Sequence, residues 1–361
     1  MKITDLRTTI VDVPLERPLH AAIARLDRIP LVLVVLPGEG GIWGQSYIYA
    51  FTMGKARAVK ALIEDLRDLV VGQDSDFALG LWERLEYRIA LAGYRGIAQF
   101  ALSAIDIAVW DLRCKELGRP LYKVLGARRD RVPAYASEGL FLTEKPDALA
   151  YEAQELVAKG FRAVKMRVGR SDPAADLAAV EAVRSAIGPD IALMVDINQG
   201  WTADRAIRWG RRFEESDIYW LEEPVRYDDL EGHARIAAAL DVPIASAENA
   251  YTLRGVRDYI EARAADILMP DLQRIGGVTG WLHVAGLAAA HGVPLSPHLF
   301  PEVGVHLVAA SPTGLLQEHM PWADAILKDP LQVRDGEILV SDKPGVGIEL
   351  DRAAVAKYAV D

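Results

Sequence analysis

Three carboxylates stand out by their spacing. Asp196, Glu222 and Glu248 close the runs IALMVD, IYWLE and VPIASAE, with 26 residues from each to the next. If these runs are neighbouring parallel strands, the acids project toward one point, where uncompensated charges repel and call for protons or a shared cation. Oxygen ligands without Cys or His suit a hard ion, and room for water and substrate oxygens favours Mg²⁺ over Zn²⁺. Asp271 ends DILMPD and His298 ends VPLSPH. A carboxylate beside one imidazole nitrogen fixes the tautomer and makes the other nitrogen a better general base. The remaining histidines, His20, His233, His283, His291, His306 and His319, read as ordinary satisfied polar groups.

A divalent cation, Lys165 at the end of FRAVK and a histidine base together suit removal of the weakly acidic proton α to a carboxylate. The charge left behind sits on the carboxylate oxygens as an enediolate, where the cation, Lys165 and a protonated Glu318 would meet it. Metal polarisation contributes several kcal/mol and each preorganised donor about 3 kcal/mol. Phosphoryl transfer would need a glycine-rich phosphate loop. Gly276-Gly277 lacks that pattern and reads as a tight turn opening a helix.

Something must hold these groups in a ring. From about residue 131, short apolar runs ending at Ser137, Lys165, Asp196, Glu222, Glu248, Asp271, His298 and Glu318 recur every 20 to 31 residues, about one strand plus helix each. Eight consecutive parallel β/α units close into a barrel with its catalytic groups at the C-terminal strand ends. The first 130 residues differ: apolar strands near residues 2–13, 29–35 and 42–49, then helical spacing over 55–71, 76–90 and 95–116. The fold class expected is α/β: an N-terminal α+β capping domain over residues 1–128 and a (β/α) barrel, of the modified (β/α)7β kind, over 129–325. A tail over 326–361 would pack back onto the cap.

Composition narrows the partners. Lys plus Arg number 41 against 51 Asp plus Glu, a formal charge of −10, which repels nucleic acid and anionic lipid surfaces. No apolar run reaches the roughly 18 residues needed to span a bilayer, and charges interrupt the first eighteen residues where a signal peptide would be apolar. The single cysteine, Cys114, permits no internal disulfide and fits a reducing cytoplasm.

The chain resembles the enolase superfamily, and within it the mandelate racemase/muconate lactonizing enzyme family. The resemblance runs through PLHAAIARLDRIPLVL, GQSYIYAFT, LAGYRG, AIDIAVWDL, GFRAVKMRVG, VDINQGW, WLEEP, AEN at 247–249, MPDLQRIGGVTGW, SPHLFPE and PGVGI, and so spans nearly the whole sequence. It implies Asp196, Glu222 and Glu248 as Mg²⁺ ligands, Asp271 with His298 as the catalytic dyad, and Glu318 as hydrogen-bond donor to a small hydroxycarboxylate substrate. Ser137 and Asn198 become auxiliary contacts, and Lys165 the first lysine of a Lys-x-Lys motif. A mobile cap loop around Leu19 to Leu26, with Phe51, would line the substrate pocket, although ordinary core packing accounts for these three residues equally well. Homo-oligomers, octameric or smaller, are implied too.

One departure matters: Arg167 stands where the racemases carry the second lysine. A guanidinium is a poor proton acceptor but a good bidentate grip. Two-base racemisation is thereby disfavoured, and dehydration of an acid sugar through His298 alone is favoured. Apolar Leu19, Ala21, Ala22, Ile23, Leu26 and Phe51 pull toward an aliphatic or aromatic 2-hydroxy acid, while His20, Arg25 and Glu138 offer polar contacts. A 2-hydroxy acid racemase, a cycloisomerase and a non-catalytic carboxylate-binding protein are the alternatives.

Overall fold

The computed structural model describes residues 1–21, 25–142 and 145–360. Strands β1 (Arg7–His20), β2 (Arg25–Pro37) and β3 (Trp43–Tyr49) form an antiparallel sheet in that order. Ile29 through Val34 of β2 are buried without interruption, so the run IPLVLVVL reflects a strand covered on both faces.

Helices α1 (Met53–Asp65), α2 (Ala78–Ile89) and α3 (Ile97–Glu116) come next along the chain. Every residue of α3 from Ala98 to Leu112 is buried, because the helix lies between the cap sheet and the barrel. On one side Ser46 Oγ donates to the Ala104 carbonyl at 2.6 Å, and on the other Trp110 Nε1 donates to Thr279 Oγ1 at 2.9 Å.

The barrel strands are β4 (Arg131–Ala136), β5 (Ala163–Arg167), β6 (Ala192–Asp196), β7 (Trp220–Glu222), β8 (Ile244–Ser246) and β9 (Ile267–Leu268), each parallel to the next. The seventh position is made of single bridges, Leu268 to Leu295 and Asp271 to His298. Pro294 and Pro297 flank it and remove ladder donors, which is why no continuous strand forms there. Strand β10 (Gln317–His319) pairs parallel with β4 and closes the ring. Gly276 (φ 99°) and Gly277 (φ 76°) make the tight turn that opens helix α4 (Gly277–His291).

Two expectations are corrected. Residues 19 to 26 do not form a loop at their ends: Leu19 pairs with Leu26 and His20 with Arg25, extending the β1–β2 ribbon after a register shift beyond Pro14. Ala22 and Ile23 lie outside the described residues. The tail divides its attachment. Its strands β11 (Val333–Arg334) and β12 (Glu337–Leu339) join the barrel, β12 lying antiparallel on residues 131–133 of β4, which β10 leaves unpaired. The residues beyond β12 turn to the cap, where Arg352 stacks over Trp43 at 4.9 Å and Val360 N donates to the Ile10 carbonyl at 3.0 Å.

Candidate active site

Side chains alternate across a strand, so one inward residue predicts the next two positions along. Tyr135, Ala163, Met194, Trp220, Met269 and Leu316 pack together inside the barrel, while Val164, Leu193, Val195 and Leu221 belong to the layer outside it. Two residues beyond the inner set lie Ser137, Lys165, Asp196, Glu222, Asp271 and Glu318. The polar ring is therefore the next inward layer, displayed at the C-terminal rim. Glu248 breaks the count, and Ala247 before it takes φ 87°. Asn198, Gln199, Glu223, Leu299 and Phe300, all just past strand ends, also have positive φ, between 39° and 65°. Left-handed backbone at non-glycine residues is strained, and such strain concentrates at functional sites.

The acid–imidazole pair is formed as expected. His298 Nδ1 lies 2.7 Å from Asp271 Oδ2, which fixes the tautomer, and Nε2 faces Glu248 Oε2 at 3.4 Å. Across the ring, Lys165 Nζ donates to Glu222 Oε1 at 2.6 Å and lies 3.2 Å from Glu318 Oε1 and 3.5 Å from Asp196 Oδ2. Arg167 is turned onto Ser137, and its Nε lies 3.7 Å from Asp196 Oδ2. Asn198 holds Asp196 through its backbone N–H at 2.8 Å and its amide at 3.1 Å.

Charge crowding sets the ionisation of the ring. Asp196, Glu222, Glu223, Glu248, Asp271 and Glu318 face three fixed cations, Lys165, Arg167 and Arg274. Burial opposes the Lys165 charge, yet Glu222, Glu318 and Asp196 outweigh it and raise the ammonium's pKa. Burial pushes Glu222 up to about 8 against the pull of Lys165, with Asp196, Glu318 and Glu248 adding to the rise. Glu223 is raised well above the carboxylate range, first by burial and then by Glu248 and Asp196. Burial also works against protonated His298, but Glu248, Asp271 and Glu318 lift it to about 9.

Three crowded carboxylates offering only oxygen donors fit a hard divalent cation. Asp196, Glu222 and Glu248 are the residues that would hold it. In the protein alone they are turned toward Lys165, Asn198 and His298, and no group of three or more Asp, Glu, His or Cys residues among those described is already gathered as a metal cage.

In the protein alone Glu318 is a hydrogen-bond acceptor. Burial raises its pKa, but Lys165, His298, the Leu299 N–H and the Ser137 hydroxyl together bring it down to about 2. Its Oε2 accepts from Leu299 N at 2.7 Å. Glu223 and Arg274 were not singled out in the sequence. Glu223 lies between Gln199 Nε2 at 2.9 Å and Asn249 Nδ2 at 3.2 Å, and Arg274 binds Asp271. The Glu-Glu doublet and the Asp-x-x-Arg spacing were the available signals.

The cap meets this rim through aromatic rings: Tyr49 packs edge-on to Phe300 at 5.0 Å and to Trp322 at 5.9 Å. Leu19 is buried in the hydrophobic core, with Leu26 and Phe51 partly buried against it. A cavity of about 540 Å³ opens between the ribbon and the first strand–helix loop, lined by Arg17, His20, Arg25, Phe141 and Glu152, and Phe141 lies under the Arg167 guanidinium at 5.8 Å. A larger one, about 1030 Å³, lies against the tail near Trp43, His306 and Arg352, and none of the strand-end residues of the polar ring lines it.

A closed barrel with acids on successive strand ends, opposite a strand-end His–Asp pair and beneath an α+β cap, defines the enolase-superfamily architecture. Residues 3–126 match the family model described as mandelate racemase/muconate lactonizing enzyme, N-terminal domain, and residues 148–354 match enolase C-terminal domain-like. The chain belongs to the mandelate racemase/muconate lactonizing enzyme family. It is 36% identical to the L-talarate/galactarate dehydratase of Salmonella typhimurium, over 91% of this chain and 82% of that one. With the D-galactarolactone cycloisomerase of Agrobacterium fabrum it shares 35% identity over 99% of both. Its structure superposes with TM-score 0.94 on an L-talarate dehydratase from Polaromonas complexed with Mg and L-glucarate, at 35% identity, covering 100% of this chain and 98% of that one. An enolase from Bradyrhizobium complexed with magnesium and mandelic acid gives the same score at 36% identity, covering 100% and 99%.

Proposed function

We propose that this protein is a Mg²⁺-dependent dehydratase of a small hydroxycarboxylate, with an acid sugar as the substrate class. The observation that carries the proposal is the pairing of a single competent base, His298 held by Asp271, with an Arg167 occupied on Ser137 where a second base would stand. The dehydratase and cycloisomerase activities named for the similar proteins support it. Asp196, Glu222 and Glu248 are the proposed ligands, and a magnesium ion held there supplies positive charge to the substrate carboxylate.

His298 Nε2 takes the α-proton, and the C–H electron pair moves into the enediolate, whose charge Lys165 meets from the opposite side. Glu318 keeps Lys165 and the Leu299 backbone in place. Collapse of the enediolate forms the Cα–Cβ double bond and breaks the bond to the β-hydroxyl, which leaves as water with the proton from imidazolium His298. The resulting enol becomes a 2-keto acid. Asp271 holds the ring orientation through both transfers.

Residues 1–128 act as cap to the barrel in this reading, with Leu19, Leu26 and Phe51 on the substrate side and 326–361 as tail. We expect a cytoplasmic homo-oligomer, supported by exposed Phe77, Tyr87 and Leu91 on the cap. Among the described residues no helix is long and apolar enough to cross a membrane. Incubation with Mg²⁺ and a panel of acid sugars and 2-hydroxy acids tests the assignment. A 2-keto product supports dehydration, whereas an inverted stereocentre without loss of water identifies a racemase.

A further inference from the structure

We infer that Arg274 is a positioning residue for the proton-transfer pair, clamping Asp271 and tying it to the backbone at Glu248. The inference rests on the reading of His298 as the base. Asp271 Oδ1 accepts from the Gln273 N–H at 2.8 Å, and Oδ2 accepts from both His298 Nδ1 at 2.7 Å and Arg274 Nη1 at 2.5 Å. The same Nη1 reaches the Glu248 carbonyl oxygen at 3.2 Å. One guanidinium nitrogen therefore spans the acid that orients the base and the chain segment that carries a proposed metal ligand.

Local sequence explains the contact. Asp271 caps the short turn Leu272–Ile275, and a residue three positions on in a helical turn returns to the same side. Asp271 is fully buried and Arg274 is 8% exposed. Ordering a long side chain and desolvating its charge are both unfavourable, so an arginine here stabilises little by itself. What it does provide is geometry: with Oδ2 held from two directions, the carboxylate cannot rotate away from the imidazole.

The test compares the full-length wild type with R274M and R274K. The first readout needs no substrate: the downfield proton resonance of the His298 Nδ1–H, assigned by its loss in H298N. It is expected to shift or broaden away in R274M and to stay nearer its original position in R274K. The second readout is α-proton exchange with Mg²⁺ in D₂O. For R274M, kcat should fall about tenfold to a hundredfold with KM within about threefold, and R274K, which keeps a charge at Asp271, should recover part of it. An unmoved resonance, or a KM change with kcat intact, overturns the inference. If R274M does not fold, the uncharged R274Q takes its place in both measurements, with the same expected and overturning results. A wild type that exchanges no acid on the panel counts against the proposed function, and the resonance then decides the role of Arg274 alone.

Discussion

Both terminal nitrogens of Arg167 are engaged by one residue, Ser137: Nη1 donates to its carbonyl oxygen at 2.7 Å and Nη2 to its hydroxyl at 3.0 Å. The guanidinium is thus anchored at the end of β4 rather than poised over a substrate carbon, and its basicity excludes it as a proton acceptor at neutral pH. Arg167→Lys supplies an amine that can lose its proton there. We expect the wild type to exchange an α-proton without inverting the centre, and the lysine variant to gain measurable epimerisation, read by chiral chromatography. Epimerisation in the wild type at the rate of exchange would contradict this.

Removing divalent metal with a chelator should abolish turnover, and Mg²⁺ should restore it. Glu248→Gln is expected to weaken Mg²⁺ binding at least about tenfold, measured by calorimetry. An affinity equal to the wild type would exclude Glu248 as a ligand.

Stability should carry a pH signature from Asp106. It lies buried in α3, accepting from Thr279 Oγ1 at 2.6 Å and Thr279 N at 2.9 Å, and burial raises its pKa to about 7. The folded protein therefore binds the proton more tightly than the unfolded chain does. This group's contribution is present at low pH and is lost as pH rises through the folded value. Between pH 5 and 8 the wild type should lose about 2 kcal/mol more than Asp106→Asn. Parallel melting curves across that range would show that Asp106 titrates normally.

A Cβ at Gly44 in β3 would collide with the Ala108 carbonyl oxygen of α3. The backbone contact leaves no flexible side chain to yield, so Gly44→Ala should destabilise the protein by about 3 kcal/mol. Chemical denaturation measures it, and a change below about 1 kcal/mol would mean that sheet and helix separate freely.

The barrel was legible because strand periodicity and strand-end polarity coincide. Asp271 and His298 each end a run, so their pairing followed from adjacency of the sixth and seventh positions. The ionisation of Glu318 was not legible, since it depends on Lys165 from β5 and the Leu299 N–H from beyond the seventh position. Nor was the division of the tail, because β12 finds its place only on the half of β4 that β10 leaves open. Glu223 falls outside the inward parity that selects Glu222, and its involvement depends on a left-handed turn at φ 39°. The ribbon at Leu19 and Leu26 was obscured by its register shift, which interrupts the alternation that marks a strand.

The central claim is that His298 removes a proton α to a carboxylate. Its most direct test is deuterium incorporation at Cα in D₂O with Mg²⁺, followed by mass spectrometry, for the wild type beside His298→Asn. The wild type should label at least one hydroxycarboxylate of the panel, and the variant should label it about 10² to 10⁴ times more slowly while still binding it. Labelling by His298→Asn at the wild-type rate would contradict the account.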